Sequence, residues 1–490
     1  MTDALLPLAA AGPLGAAALL AWLPRSAGLR TGVLFAVLTA ALGWSCALLA
    51  ATGEGAVLTH TVGGWPGGLV ITFAADAFSS LMLVTTSLLI LACTGHAAAS
   101  GHTRQRHFAS LVLVLTGGVH GALLTADLFN LFVFLEVMLV PSYALLSVFG
   151  GRSRIAAGRL YLTVSLLAST LLLAGVAAVY ALTGTVNTGA LAGAAREAPA
   201  VAVAGAAVLL ALFVKAAVVP VHGWLANTYP YTSPAVSALF SGVQTKVAIY
   251  VVYRVYAVLY DGDTRYLWLG LVVFTVTMVV GVLGAVGEKT TRSILSFHMI
   301  SQIGYILLGV ALFGAAGLAA GIFYMLHNMV VKASLFLSTG AVETVHSTGR
   351  LDRLGGLGRR EPVLAFLFIA SAFSLAGLPP LSGFVAKFVL VQATVAEQQY
   401  VVATVAVVVS LLTLMSMAKI WNGVFWDRAE RSGDDSEAPR VPVSLLLAPA
   451  LLTAVTLAVG VFPGPVLQWC ETAAEGLANT DSYAAEVSRR

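Results

Sequence analysis

The sequence predicts an all-α polytopic membrane protein of about fourteen transmembrane helices, with two inverted five-helix repeats (spans 4–8 and 9–13), each containing a broken helix. Three observations predict it: composition, the recurrence of long apolar runs, and two prolines that interrupt such runs at matching places. Of 490 residues, 59% are hydrophobic and 10% charged, with a mean hydropathy of +0.92. Soluble chains are about 45–50% apolar and about 25% charged, so this chain has too little polar side chain to coat water-exposed domains. A net charge of +4 is too small and too dispersed to suggest nucleic acid. The three cysteines, Cys46, Cys93 and Cys470, give neither a disulfide framework nor a metal-ligand spacing.

Apolar runs long enough to cross a bilayer as helices recur at about 4–24, 31–52, 72–94, 107–126, 128–149, 155–182 and 200–225, then at 234–260, 267–287, 291–313, 316–342, 362–396, 400–423 and 442–462. The first lacks a preceding basic segment and reads as a span rather than a cleaved signal peptide. The longest polar stretch is Asp427 to Pro442, with no soluble domain inserted. The runs divide the chain into N-terminal helices (1–106), a first five-helix unit (107–260), a second, inverted unit (261–423), and a loop, last span and tail (424–490).

Short cytoplasmic loops are enriched in Lys and Arg. Alternate loops hold Arg25 and Arg30; Arg104 and Arg106; Arg152, Arg154 and Arg159; Lys289 and Arg292; Arg350, Arg353, Arg359 and Arg360; and Arg428, Arg431 and Arg440. The opposite side holds Arg196, Arg265, Arg489 and Arg490. The bias makes the rich side cytoplasmic and, with an even number of spans, places both termini outside a cell (inner) membrane.

The lysines depart from this pattern. Only Lys289 lies in a loop; Lys215, Lys246, Lys332, Lys387 and Lys419 fall within spans, Lys419 nearer the cytoplasmic end. Arg254 is the one arginine in a span, near an end where it can snorkel. A lysine at mid-span costs roughly 2.5–3.5 kcal/mol on insertion scales, so four facing lipid would cost roughly 10–14 kcal/mol, comparable to a whole domain's stability. They must face a polar interior, where a desolvated lysine can titrate near neutral pH as an arginine cannot. Glu136 is the one deeply placed acid. Membrane Lys–Glu pairs can also simply fix packing, but a row of ionisable groups in a bilayer is a functional-site hypothesis by default. His327 lies five residues before Lys332, about 140° around the helix, so the two share no face and would exchange protons through water. His298 is a secondary candidate for the same set; His222 and His120 are left open between packing and function.

Two long spans carry proline near their middles: Phe213-Val-Lys215-Ala-Ala-Val-Val-Pro220 and Leu375-Ala-Gly-Leu-Pro379-Pro380-Leu-Ser-Gly383-Phe-Val-Ala-Lys387. Proline removes an amide donor, and freed backbone groups are tolerated in a membrane only beside protein or water. The breaks fall in the fourth helix of each five-helix unit. Because five is odd, the second unit is inverted, a recurring transporter plan.

Four stretches carry a family resemblance: Leu128-Phe-Asn-Leu-Phe-Val-Phe-Leu-Glu136-Val-Met-Leu, Ser237-Ala-Leu-Phe-Ser-Gly-Val-Gln-Thr-Lys246-Val-Ala-Ile-Tyr250, Ser301-Gln-Ile-Gly-Tyr305 and Gly377-Leu-Pro-Pro-Leu-Ser-Gly-Phe384. Together they resemble the proton-translocating antiporter-like family, which includes antiporter-like subunits of respiratory complex I, hydrogenase subunits and the A and D subunits of multisubunit Mrp antiporters; the wording is most similar to the Mrp D branch. The resemblance implies the fourteen-helix fold, Glu136 and Lys215 as the essential pair of spans 5 and 7, and Lys246 as the span 8 relay lysine. It also implies His327 and Lys332 as the span 11 positions and Lys387 as the terminal ionisable residue. Trp224-Leu-Ala-Asn227 departs from the family, which commonly has proline after Trp-Leu.

The expected function is a proton-translocating subunit of a multisubunit Na⁺(K⁺)/H⁺ antiporter, a secondary transporter without cofactor, partnered by other membrane subunits. The alternatives are a proton-pumping subunit of a complex I-like or hydrogenase-type redox complex, and a structural scaffold. Hard cations prefer several oxygen ligands, and Asp76 and Glu343, the other acids near spans, read as solvated structural groups at span ends. The cation path is therefore expected, wholly or in part, in neighbouring subunits.

Overall fold

A computed structural model of the chain describes residues 3–22, 26–63, 70–426 and 440–488. Arg25, Arg428, Arg431, Arg489 and Arg490 lie outside the described residues. Twelve of the described helices are long and apolar enough to cross a membrane, and three further apolar helices are shorter. In chain order they are α1 (Leu8–Trp22), α2 (Ala27–Thr52), α3 (Ala77–Ala99), α4 (Phe108–Leu124), α5 (Leu128–Ser147), α6 (Arg152–Thr183) and α7 (Pro199–Ala216). Next come α8a (Pro234–Gly242) and α8b (Gln244–Tyr260), α9 (Leu267–Gly287), α10 (Thr291–Ala311) and α11 (Ala315–His346). The chain then forms α12a (Pro362–Ala376), α12b (Ser382–Ala396), α13 (Tyr400–Trp421) and α14 (Val443–Val461), and, outside that set, the tail helices α15 (Gly464–Ala478) and α16 (Asp481–Ser488).

The core is three helices thick. The spanning windows of α8, α10 and α11 are 94%, 94% and 100% buried, against 33% for α6 and α9, so the first three form an axis and the others its coat. Small residues permit this closeness: a Cβ on Gly281 or Gly304 would lie 2.2 or 2.5 Å from backbone atoms across the α9–α10 contact. Loops of like parity meet at the same end. Asp127 bridges Asn187 and Thr290 bridges Arg350, and Arg292 donates to the carbonyl of Thr232.

Two boundaries differ from the sequence reading, at 72–94 and 234–260, and the two expected breaks are seen at 200–225 and 362–396. The run 72–94 opens with a strand: Leu58–Val62 (β1) pairs antiparallel with Ile71–Ala75 (β2), and α3 starts only at Ala77, where Asp76 and Ser79 form a reciprocal capping box. The run 200–225 stops being helical at Ala216. The run 362–396 is two helices. The run 234–260 has an unforeseen interruption at Val243, without proline. Beyond α14 the tail adds α15 and α16, which return to the bundle: Cys470, Ala474, Leu477 and Tyr483 are buried.

Candidate functional site

The two proline breaks have the same start. α7 ends at Ala217 in the left-handed conformation (φ 61°) and α12a ends at Gly377 (φ 88°). In each, an amide reaches back over the last turn, Val218 N–H to Phe213 O and Leu378 N–H to Phe373 O, both at 3.0 Å. This is the Schellman solution to unpaired terminal carbonyls. Three residues after each cap comes a cis X–Pro bond, at Val219–Pro220 and Pro379–Pro380.

Each break has its lysine. Lys215, two residues before its cap, donates to Ser169 Oγ at 2.9 Å; Ser169 in turn donates to Glu136 Oε1. The ammonium and carboxylate themselves are 3.9 Å apart, so a hydroxyl from α6 mediates the pair. Beside them a cavity of about 30 Å³, lined by Lys215, Tyr161, Trp224 and Gln244 among others, has room for a water or two. Lys387 lies ten residues after its cap, yet its Nζ returns to it, donating to Ala376 O at 2.9 Å and Ser410 Oγ at 2.7 Å.

The interruption at Val243 frees carbonyls too, and Lys246 Nζ donates to Ser241 O at 2.8 Å. Lys332 Nζ donates to Leu295 O at 3.1 Å. Both lysines are fully buried. His327 Nδ1 is 2.9 Å from Ser382 Oγ, which joins it to the second break. His298 Nε2 meets Ser416 Oγ. Around these groups, buried polar atoms without a partner among the described residues cluster on the axis: Thr245 Oγ1, Ser296 Oγ, His298 Nδ1, Ser301 Oγ, Gln302 Nε2 and both amide atoms of Asn328. Buried polar atoms of this kind take water as partner.

The sequence-selected residues therefore divide. Glu136 and Lys215 form one group at the first break; Lys246 and Lys332 lie on the axis; His327 and Lys387 sit at the second break. Among the described residues no direct hydrogen bond links these groups to one another. Lys419 does not join them: its Nζ donates to Val286 O and Glu288 O at 2.9 and 2.6 Å, capping the end of α9. His222 has no hydrogen-bond partner among the described residues for its buried Nδ1. His120 is buried, held by Ser87 Oγ and Ala9 O at 3.0 and 3.1 Å.

Three expectations are corrected. Arg254 does not snorkel and Asp76 is not solvated: they pair at 2.7 Å, both buried, with the guanidinium over the rings of Phe78, Tyr250 and Tyr483. Glu343 likewise pairs with Arg292 at 2.6 Å. An isolated buried charge is prohibitively costly, so each finds its opposite across the fold. Ser169, Asn328 and Gln302 were missed; only their position within apolar helices could have flagged them. Among the described residues no three His, Cys, Asp or Glu side chains converge as metal ligands.

The central part of the chain, residues 125–413, matches the NADH:quinone oxidoreductase/Mrp antiporter transmembrane family, and the chain belongs to that family. Within it, the chain is 36% identical to the Na⁺/H⁺ antiporter D subunit of Alkalihalophilus pseudofirmus over 433 residues, 87% of each chain. It is 34% identical to the corresponding Na⁺/H⁺ antiporter D subunit of Bacillus subtilis over 441 residues, again 87% of each. A chain of the Mrp complex from Dietzia sp. DQ12-45-1b superposes with a TM-score of 0.96 at 48% identity, covering 99% of both. A respiratory complex I chain from Thermus thermophilus superposes at 0.75 and 26% identity, covering 95% of this chain and 98% of that one.

Proposed function

We propose that this chain is the D-type subunit of a multisubunit Na⁺(K⁺)/H⁺ antiporter and that it moves protons through the buried row Glu136, Lys215, Lys246, Lys332 or His327, and Lys387. The observation that carries the reading is the likeness to a chain of an Mrp complex over essentially the full length of both, joined to a line of lysines sequestered from lipid. Fourteen crossings, with α4–α8 and α9–α13 as inverted five-helix units, are the architecture this reading assigns, and the paired caps at Ala217 and Gly377 support it.

In this mechanism Ser169 passes the charge state of Glu136 to Lys215. When the pair is engaged, the carboxylate holds the ammonium through the hydroxyl; when it opens, the desolvated lysine loses affinity for its proton. Transfer onward to Lys246, and from there towards Lys332 or His327 and Lys387, passes through water bound to the unpartnered polar atoms of α8b, α10 and α11. The arginine-rich end is cytoplasmic and both termini are outside. The cation path lies at least partly in neighbouring subunits.

The test is antiport by everted vesicles from a host lacking its own antiporters. Glu136→Ala in the assembled complex should abolish sodium-dependent proton movement while leaving the complex intact; wild-type transport would refute the relay. Impermeant cysteine labelling at Arg104 and Arg359 positions tests topology, and labelling of both from outside would invert it. The redox alternative draws support from the complex I likeness, and purification with quinone or hydrogenase subunits in place of antiporter subunits would establish it.

A further inference from the structure

The loops joining α3 to α4 and α5 to α6 form a basic surface with no acid in it. They carry Arg104 and Arg106, then Arg152, Arg154 and Arg159, together with His102 and His107. No Asp or Glu occurs from Ala77 to Ala126, or from Val137 to Arg196. None of the five arginines has a carboxylate partner among the described residues. The two loops touch: the His102 ring lies 4.3 Å from that of Phe149, and Arg154 lies over the same ring at 6.0 Å. Arg30 of α2 adds a further cation, donating to Arg106 O at 3.3 Å. Burial first, and then the charge of Arg154, push His102 down to about 4.

Topology alone does not account for this. The other basic loops at the same end carry their own acids: Arg292 pairs with Glu343 at 2.6 Å, Arg350 with Asp352 at 2.8 Å, and Glu361 follows Arg359 and Arg360. Among the described basic loops at this end, these two are the ones whose own sequence carries no acid, and here they border a groove. Between α4 and α5 runs an open furrow of about 450 Å³ whose walls include His107, Ser110, Leu111, Val114, Ala144 and Ser147. Its polar residues, His107, Ser110 and Ser147, lie at the start of α4 or the end of α5, towards the arginines, while Leu111 and Val114 lie further along α4.

We propose that this furrow binds an anionic phospholipid from the surrounding bilayer. The phosphodiester lies at the polar end, where guanidinium groups offer paired donors matched to phosphate oxygens, and one acyl chain lies along Leu111, Val114 and Ala144. A zwitterionic lipid would fill the furrow but leave the arginines uncompensated, so selectivity resides in the headgroup. Basic pockets between transmembrane helices are recurrent anionic-lipid sites, and here the apolar and cationic halves are contiguous.

The test uses the assembled complex, delipidated in detergent and titrated with phosphatidylglycerol or phosphatidylcholine, with bound lipid counted by native mass spectrometry. The wild type should retain phosphatidylglycerol in preference to phosphatidylcholine. The triple variant Arg106→Gln/Arg152→Gln/Arg154→Gln should weaken phosphatidylglycerol binding at least tenfold and leave phosphatidylcholine unchanged, and the corresponding lysine variant, charged but without paired donors, should fall between it and the wild type. Ala144→Trp, with every arginine intact, should also displace the lipid and keeps the test decisive if the triple variant fails to assemble. Unchanged phosphatidylglycerol retention in the triple or tryptophan variant would overturn the proposal. So would equal loss of both lipids in the triple variant, or release of a partner subunit with lipid content unchanged, which would make the occupant an acidic protein segment.

Discussion

The breaks in α7 and α12 begin alike and end differently. Both stop a helix with a left-handed residue and an amide bonded five residues back, and both turn on a cis proline three residues later. After the first break the chain makes only a single helical turn, Gly223–Ala226, before a loop. After the second it re-enters at once as the fifteen-residue α12b, packed so closely that a Cβ on Gly383 would fall 1.7 Å from Ser374 O. The capping amides are the same; the side-chain donors differ, Trp224 Nε1 to Val214 O at the first break and Lys387 Nζ to Ala376 O at the second, and so does where the chain goes next. The lysines sit on opposite sides of their caps, Lys215 before it with its Nζ on Ser169 and Lys387 after it with its Nζ on Ala376 O.

The largest test of their equivalence is removal of the lysines. Lys215→Ala and Lys387→Ala should each abolish antiport in everted vesicles with the complex still assembled. Full activity and an unaltered pH profile in Lys387→Ala alone would make the second break structural. Next, Gly383→Ala should destabilise the protein by about 3 kcal/mol, since rigid backbone cannot yield as a flexible side chain can. Gly223→Ala, with nothing within 4 Å of the new methyl, should stay within about 0.5 kcal/mol. Thermal unfolding of the purified complex reads both.

A finer contrast concerns the serines. A hydrogen bond to a charged group is worth about 1.5–3 kcal/mol, and Ser169→Ala removes two such bonds, one to Lys215 and one to Glu136. Antiport should fall by about tenfold or more. Ser410→Ala leaves Lys387 its bond to Ala376 O, so initial transport rates should fall distinctly less than in Ser169→Ala. The caps give the last contrast. Gly377→Ala should cost about 1–2 kcal/mol for a left-handed alanine, aggravated by Lys387 Cδ at 2.7 Å. Ala217→Gly should be nearly neutral in the same melting assay, because relief of backbone strain is offset by the entropy glycine adds to the unfolded chain.

The long apolar runs and the misplaced lysines were readable because the bilayer leaves little choice: an unbroken run of about twenty apolar residues must cross, and a lysine inside it must turn inward. The breaks at Pro220 and Pro380 were readable because proline cannot donate an amide bond. The interruption at Val243 left no such mark, since it rests on a single residue's backbone and a carbonyl that Lys246 happens to cover. β2 hid inside an apolar run because Ile71–Ala75 suits a strand and a helix equally well. Lys419 resembled its neighbours in sequence, and only the approach of α9 from elsewhere makes it a cap. Asp76 and Arg254 were misjudged for a related reason: 178 positions separate them, and each alone looks like an end-of-span charge.

Lys246, Lys332 and Lys387 rest on backbone carbonyls, not on carboxylates. A carboxylate keeps its charge when its ammonium partner gives up a proton, so the departing proton must climb away from a stranded anion. A carbonyl has no charge to strand. The amine left behind is neutral, settles into surroundings that are already neutral, and presents a lone pair to the next arrival. Two occupied sites in the same dry interior would repel each other, whereas two vacant ones ask nothing of their surroundings. In the relay proposed above, such a row suits one proton at a time, because charge on one lysine disfavours charge on the next.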